Sequence, residues 1–189
     1  MLTAGFVLAG GASSRMGRNK AFLMLGGRMF VQIVTAAVLE TAGNVTIVGR
    51  PDMYRHLGFP VIPDVRPNAG PLAGIETALR HTTTDWNLIV ACDMPRVTAV
   101  ALHCVLDEAL AHPDAGCVLP QSAEGFVEPL CAVYNRRILP EISRALLSGI
   151  HKVTDALPPS TVHCFRMTGE AAFQNINTPE ELRLATERS

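Results

Sequence analysis

Cysteine pairs at metal or redox spacing are missing from this chain. Its five cysteines, Cys92, Cys104, Cys117, Cys131 and Cys164, are scattered, odd in number and form no CxxC. That argues against a disulfide framework and against a zinc site. They read as apolar filler in a reduced cytosol. The six histidines (His56, His81, His103, His112, His151, His163) include no i, i+4 pair that would arm a helix with zinc ligands. An excess of one charge is also missing. Lys and Arg number 16 against 17 Asp and Glu, a net of −1. No nucleic-acid partner is therefore expected, and an anionic ligand must be held by local charge. Gly, Arg or Asp interrupts every apolar run before membrane-spanning length, so no membrane association is expected. The first residues lack the charged stretch and cleavage site of a signal peptide. The expectation is a cytoplasmic protein.

Several catalytic motifs are absent too. There is no G-x-S-x-G and hence no sign of a nucleophile elbow. There is no G-x-G-x-x-G dinucleotide fingerprint. What remains is a globular composition, with 48% hydrophobic and 17% charged residues. A length of 189 residues favours one domain, 1–189, with one sizeable core.

Strand and helix patterns alternate along the chain. Short apolar runs predict strands at Phe6–Ala9, Asn44–Val48, Val61-Ile62, Trp86–Ala91, Gly116–Leu119, Val127–Tyr134 and Val162–Phe165. Helical spacing predicts helices over about Arg28–Thr41, around Leu72–Leu79, from a Thr98 cap to about His112, over Arg137–Leu147, and from near Thr178. Alternation of this kind implies an α/β, Rossmann-like fold, a mostly parallel sheet with helices on both faces. The pattern slackens at Ala123–Val127 and at Pro158-Pro159, where an antiparallel excursion is expected. Ligands on such sheets sit at the carboxyl ends of strands. The loops after Ala9, Ile62 and Ala91 therefore matter most.

The first of these loops carries Gly10-Gly11-Ala12-Ser13-Ser14-Arg15-Met16-Gly17-Arg18-Asn19-Lys20. Glycines let a backbone approach an anion, and its N–H groups can converge on the anion's oxygens. Arg15 and Lys20 supply counter-charge. This is not a Walker A loop, because Asn19 precedes Lys20 and Ala21 follows it where the hydroxyl would stand. An ordinary strand-to-helix turn with solvated cations is the plain alternative. Asp93, in Cys92-Asp93-Met94-Pro95, follows the fourth predicted strand. Alone it would merely start a turn. Beside a phosphate loop it reads as a magnesium ligand, since Mg²⁺ needs few protein donors when phosphates supply the rest. Gly70-Pro71-Leu72-Ala73-Gly74 is a helix start with small residues for close packing. Thr178, Pro179 and Glu181 form a capping box, which leaves Asn175 and Asn177 unexplained.

Taken together, Leu8-Ala9-Gly10-Gly11-Ala12-Ser13-Ser14-Arg15-Met16-Gly17 with Lys20 resembles the signature of the MobA-like nucleotidyltransferases, the branch containing molybdenum cofactor guanylyltransferase. The likeness runs from Val7 to Leu182. It includes the Asp93-Met94-Pro95 turn, the GPLAG segment, Glu128–Tyr134 on the acceptor side and the final N-x-N-T-P-E-E-L. The resemblance implies a fold of the nucleotide-diphospho-sugar transferase type. It implies nucleotide contacts from Leu8, Ala9, Gly10, Gly11, Lys20, Asp64 and Asp93, with Mg²⁺ on Asp93. Lys20, Arg15 and Asp93 would carry catalysis, and Gly70, Asn175 and Asn177 are secondary candidates. GTP and molybdenum-bound molybdopterin would be the substrates, and cofactor-biosynthesis proteins and recipient apo-enzymes the partners. Two positions depart from the family: Met94 replaces a common Thr, and Val48-Gly49-Arg50 lacks an Asn. Gly10-Gly11 favours the guanylyl branch over relatives with Ala-Gly. A cytidylyl or sugar-phosphate nucleotidyltransferase, or a non-catalytic nucleotide- or cofactor-binding subunit, are the competing readings.

Overall fold

Parallel strands covered on both faces should read as unbroken apolar runs, and the two central strands do. In the computed structural model, which describes residues 2–10, 19–167, 176 and 178–187, β1 spans Thr3–Leu8. A two-strand ribbon, β2 (Met24–Leu25) and β3 (Arg28–Met29), leads into α1 (Phe30–Ala42). Then come β4 (Thr46–Val48), α2 (Pro51–Tyr54), β5 (Val61–Ile62), α3 (Pro71–His81) and β6 (Trp86–Ala91). The rest is α4 (Ala99–Ala111), β7 (Cys117–Gln121), β8 (Cys131–Asn135), α5 (Leu139–Leu147), α6 (Val153–Ala156), β9 (Val162–Arg166) and α7 (Pro179–Glu187).

Among the described residues, seven strands form one sheet in the order β5-β4-β1-β6-β8-β7-β9. Of these only β8 runs against its neighbours, pairing antiparallel with both β6 and β7. This is the antiparallel excursion expected at Ala123–Val127; the one expected at Pro158-Pro159 does not form, because β9 pairs parallel with β7. Side chains alternate between the two faces. Phe6 and Leu8 join Leu72, Ile75 and Leu79 of α3 and Ile142 and Leu146 of α5. Val7, Leu88 and Val90 join Val34 and Val38 of α1 and Leu102 and Val105 of α4. Each fully buried Val, Leu or Phe contributes about 1.5–3 kcal/mol. The two cores therefore hold the sheet rigid between its helix layers. Thr98 caps α4 as its sequence predicts, accepting from the Ala101 amide.

Three further expectations need correction. Residues 28 and 29 belong to β3, so α1 starts two residues later than the apolar spacing suggested. The spacing continues through strand and helix alike and cannot mark the junction. Residues 136–138 form a 3₁₀ turn before α5. The predicted Val127–Tyr134 strand shrinks to Cys131–Asn135, with Val127 only bridging Gln121. Pro129 has no N–H for a ladder. The Glu128 amide bonds the Pro120 carbonyl and the Cys131 amide the Glu128 carbonyl, which turns the chain instead. Pro129 thus lies outside the strand, two residues before β8 begins.

Candidate active site

Chain direction across the sheet reverses beside β1: the chain moves out to β4 and β5, then returns to β6 on the other side. Crevices of open α/β sheets lie at such reversals, outside the carboxyl ends. A cavity of about 380 Å³ lies there, and Leu8, Ala9, Gly10, Lys20, Asp64, Gly70 and Asp93 all line it. Seven candidates, from the end of β1 and the segments that follow β1, β5 and β6, thus meet around one space. Gly11, Arg15, Asn175 and Asn177 lie outside the described residues. Ile176, between the last two, is buried, and its amide donates to the Asp93 carbonyl at 2.9 Å. That bond brings the C-terminal segment to the site.

Lys20 is aimed by a short 3₁₀ turn, Lys20–Phe22, which Asn19 caps by accepting from the Ala21 amide. The other end of the Asn19 amide donates to the Tyr54 hydroxyl at 2.9 Å, and that hydroxyl donates to the Ala9 carbonyl at 2.9 Å. One phenol therefore ties the start of the glycine loop to its end. Burial pushes the Tyr54 phenol up to about 12, so it stays a neutral donor. Phe22 stacks on Tyr54 from outside. Gly49 leaves room for this ring, since a Cβ there would lie 2.9 Å from Tyr54 Cε2.

At the cavity wall, Lys20 Nζ pairs with Asp93 Oδ2 at 3.4 Å, with both side chains mostly covered. Asp93 follows β6 directly, and the Cys92 amide bonds the Leu8 carbonyl, fixing that turn against β1. Glu128 lies near enough to feel the charge of Asp93. Burial, and then the charge of Asp93, raise its carboxyl above the usual carboxylate range. Two hard oxygen donors that repel one another suit a divalent cation with water and phosphate completing its shell. Cys92 is no nucleophile, because desolvation pushes its thiol up to about 12. Met94 is fully buried in the core. Its departure from the family's Thr therefore changes packing under the turn and not the cavity lining.

Asp64 uses Oδ1 to accept from the Arg66 amide, with the Thr77 hydroxyl 3.1 Å away. Its Oδ2 faces Gly10, where an added Cβ would sit 3.7 Å away. Beneath it, the fully buried Glu76 takes Arg66, Arg80 and Ser143. Burial alone would raise the Glu76 carboxyl, but bonds from Arg66, Arg80 and Ser143 hold it below its ordinary value. Gly70 opens α3 at φ 79°, a left-handed conformation that favours glycine. Gly74 admits Leu8 to van der Waals contact with α3, as the small-residue spacing suggested.

Asn19, Tyr54, Glu76 and Glu128 were not singled out as site residues by the sequence. Only Glu128 left a signal there, as part of the segment placed on the acceptor side.

Residues 5–161 match the family model of the MobA-like NTP transferase domain. A Nostoc protein named probable molybdenum cofactor guanylyltransferase is 35% identical over 192 residues, covering 96% of this chain and 88% of its own. A Carboxydothermus hydrogenoformans protein of the same name is 32% identical, covering 93% and 90%. The crystal structure of molybdopterin-guanine dinucleotide biosynthesis protein A from Archaeoglobus fulgidus superposes with a TM-score of 0.82. It is 27% identical, covering 98% of this chain and 97% of that one. With the family model spanning residues 5–161 and these relatives covered over nearly their whole length, this chain belongs to the MobA-like NTP transferase family.

Proposed function

We propose that this chain transfers GMP from GTP to the terminal phosphate of molybdenum-bound molybdopterin, releasing pyrophosphate and forming molybdopterin guanine dinucleotide. The observation that carries the reading is end-to-end relatedness to proteins named for that reaction, joined to a cavity where Lys20 faces Asp93. The acceptor phosphate attacks the α-phosphorus, the bond from that phosphorus to the bridging oxygen breaks, and pyrophosphate leaves with the electron pair. No covalent enzyme intermediate is required, because the attacking phosphate is already anionic. The protein's work is alignment and fixed charge.

In this reading Lys20 turns from Asp93 to the β- and γ-phosphates, and Arg15 and the amides of Gly10 and Gly11 share that load. Leu8 and Ala9 wall the nucleotide, and Asp64 Oδ2 accepts from it. Asp93, with Glu128 beside it, would hold Mg²⁺, which when bound supplies Lewis-acid charge to phosphate oxygens. Gly70 lines the cavity, and Asn175 and Asn177 are secondary candidates for contacts. The five free cysteines fit a reducing compartment, and we assign the reaction to the cytoplasm. Cofactor-biosynthesis proteins and recipient apo-enzymes are the proposed partners.

The test is to incubate purified chain with the pterin acceptor, Mg²⁺ and each nucleoside triphosphate in turn, following pyrophosphate. GTP should support turnover. Turnover with CTP but not GTP makes the chain a cytidylyltransferase, and turnover only with a sugar phosphate changes the acceptor. Tight, Mg²⁺-indifferent GTP binding without pyrophosphate makes it a binding subunit.

A further inference from the structure

The far end of the molecule carries a second cluster of chemistry that the transfer reaction does not use. The last turn of α4 presents Glu108 and His112, and β9 presents His163 toward the same helix. His163 Nε2 lies 2.8 Å from Glu108 Oε1, and His112 Nδ1 lies 3.4 Å from that same oxygen. The two imidazoles stack with centroids 3.6 Å apart and planes 20° apart. Because α4 runs back from the Asp93 turn and β9 is parallel to β7, this cluster sits at the amino ends of the strands, away from the cavity.

We infer that Glu108, His112 and His163 form a site for a divalent transition-metal ion of the zinc class. Two imidazole nitrogens and one carboxylate oxygen make a borderline-soft donor set, which favours zinc, cobalt or nickel over magnesium. The three ligand atoms lie within 4.8 Å of one another. Zinc–ligand bonds of ~2.0–2.1 Å in a tetrahedron set donor atoms about 3.3 Å apart, close to the spacings from the shared Glu108 oxygen. The carbonyl end of α4 adds the negative pole of its dipole, which also favours a cation there. An adjoining cleft of about 340 Å³, lined by His112, Asp114, Ser160, Thr161 and His163, leaves the remaining coordination to water.

Binding makes two demands. The stacked rings must splay so that their in-plane lone pairs converge, and His112, 42% exposed, has room to do so. Each ligating nitrogen must also present a lone pair. A proton on His163 Nε2 or on His112 Nδ1, which faces the Glu108 carbonyl at 3.0 Å, moves through solvent to the other nitrogen of its ring. The bound ion ties β9, an edge strand, to the helix layer.

The test uses the full chain in millimolar Mg²⁺, so that the active-site carboxylates face a hard competitor. Zinc is titrated by calorimetry, and cobalt(II) is followed by its visible absorption. One equivalent should bind, with a tetrahedral cobalt band and no thiolate charge-transfer absorption. His112→Ala and His163→Gln should each weaken zinc at least about tenfold, the loss that removing even an outer-shell partner brings. The exposed thiols nearby are the control: Cys104→Ser/Cys164→Ser should bind zinc like the wild type. Pyrophosphate formation with Mg²⁺ should be unchanged in all three variants, showing that they fold. Absence of saturable binding overturns the proposal. So does undiminished binding by both histidine variants, or loss of binding in the cysteine variant.

Discussion

The chain's two tyrosines make the same bond on opposite sides of the cavity. Tyr54 donates its hydroxyl to the Ala9 carbonyl, and Tyr134 donates its own to the Pro129 carbonyl. Both phenols are buried, and desolvation raises both. They differ in what they join. Tyr54 reaches 45 residues back along the chain and also accepts from Asn19, so it couples both ends of the glycine loop. Tyr134 closes a local turn that sets Glu128 and Leu130 beside β6, where Leu130 accepts from the Ala91 amide. The glycine-loop side, proposed for the nucleotide, is thus assembled by long-range polar contacts. The β8 side, proposed for the acceptor, is assembled by a turn and a ladder.

Several substitutions would break or sharpen that contrast. The largest stability effect should come from Glu76, which braces the Asp64 loop through Arg66. Glu76→Ala removes charged hydrogen bonds to two arginines, which can then hydrate, and should cost about 1.5–3 kcal/mol in urea unfolding. Because the folded Glu76 carboxyl is held below its unfolded value, its contribution is present above the ordinary carboxylate range. It is lost as pH falls through the lowered value. The wild type should therefore lose stability faster than Glu76→Gln on acidification, measured as urea midpoints from pH 6 to pH 3.

Gly49→Ala comes next. Its new Cβ meets the Tyr54 ring, so about 1–3 kcal/mol should be lost and the KM for GTP should rise. The smallest pair is the most telling. Tyr54→Phe and Tyr134→Phe should each cost about 0.5–1.5 kcal/mol of stability. Only Tyr54→Phe should weaken GTP binding in calorimetry. Equal weakening by both would erase the distinction between the two sides.

This contrast also explains what could be read from the residues. The nucleotide side announced its elements because Phe6–Leu8 and Trp86–Ala91 are buried on both faces and each runs straight into a polar loop. Lys20 and Asp93 follow those strands and Asp64 follows Val61–Ile62, so their types and places were legible together. The Asn19–Tyr54–Ala9 relay was not, because its partners are distant in sequence and follow no period. Glu76 with Arg80 at i, i+4 looks like a surface pair until its burial is seen. The insertion of β8 between β6 and β7 is a matter of long-range pairing, and Pro129 hid where that strand begins. The Glu108, His112 and His163 cluster escaped for the same reason, since a strand brings in its third member.

The central claim is that the cavity lined by Lys20 and Asp93 is where nucleotidyl transfer occurs. The most direct measurement is GTP-dependent pyrophosphate release by Lys20→Ala and Asp93→Ala, each checked for native unfolding midpoints. The account predicts a loss of at least about 10²-fold in kcat for both, as for removal of a fixed charge from a transition state. Wild-type turnover by both folded variants would contradict it.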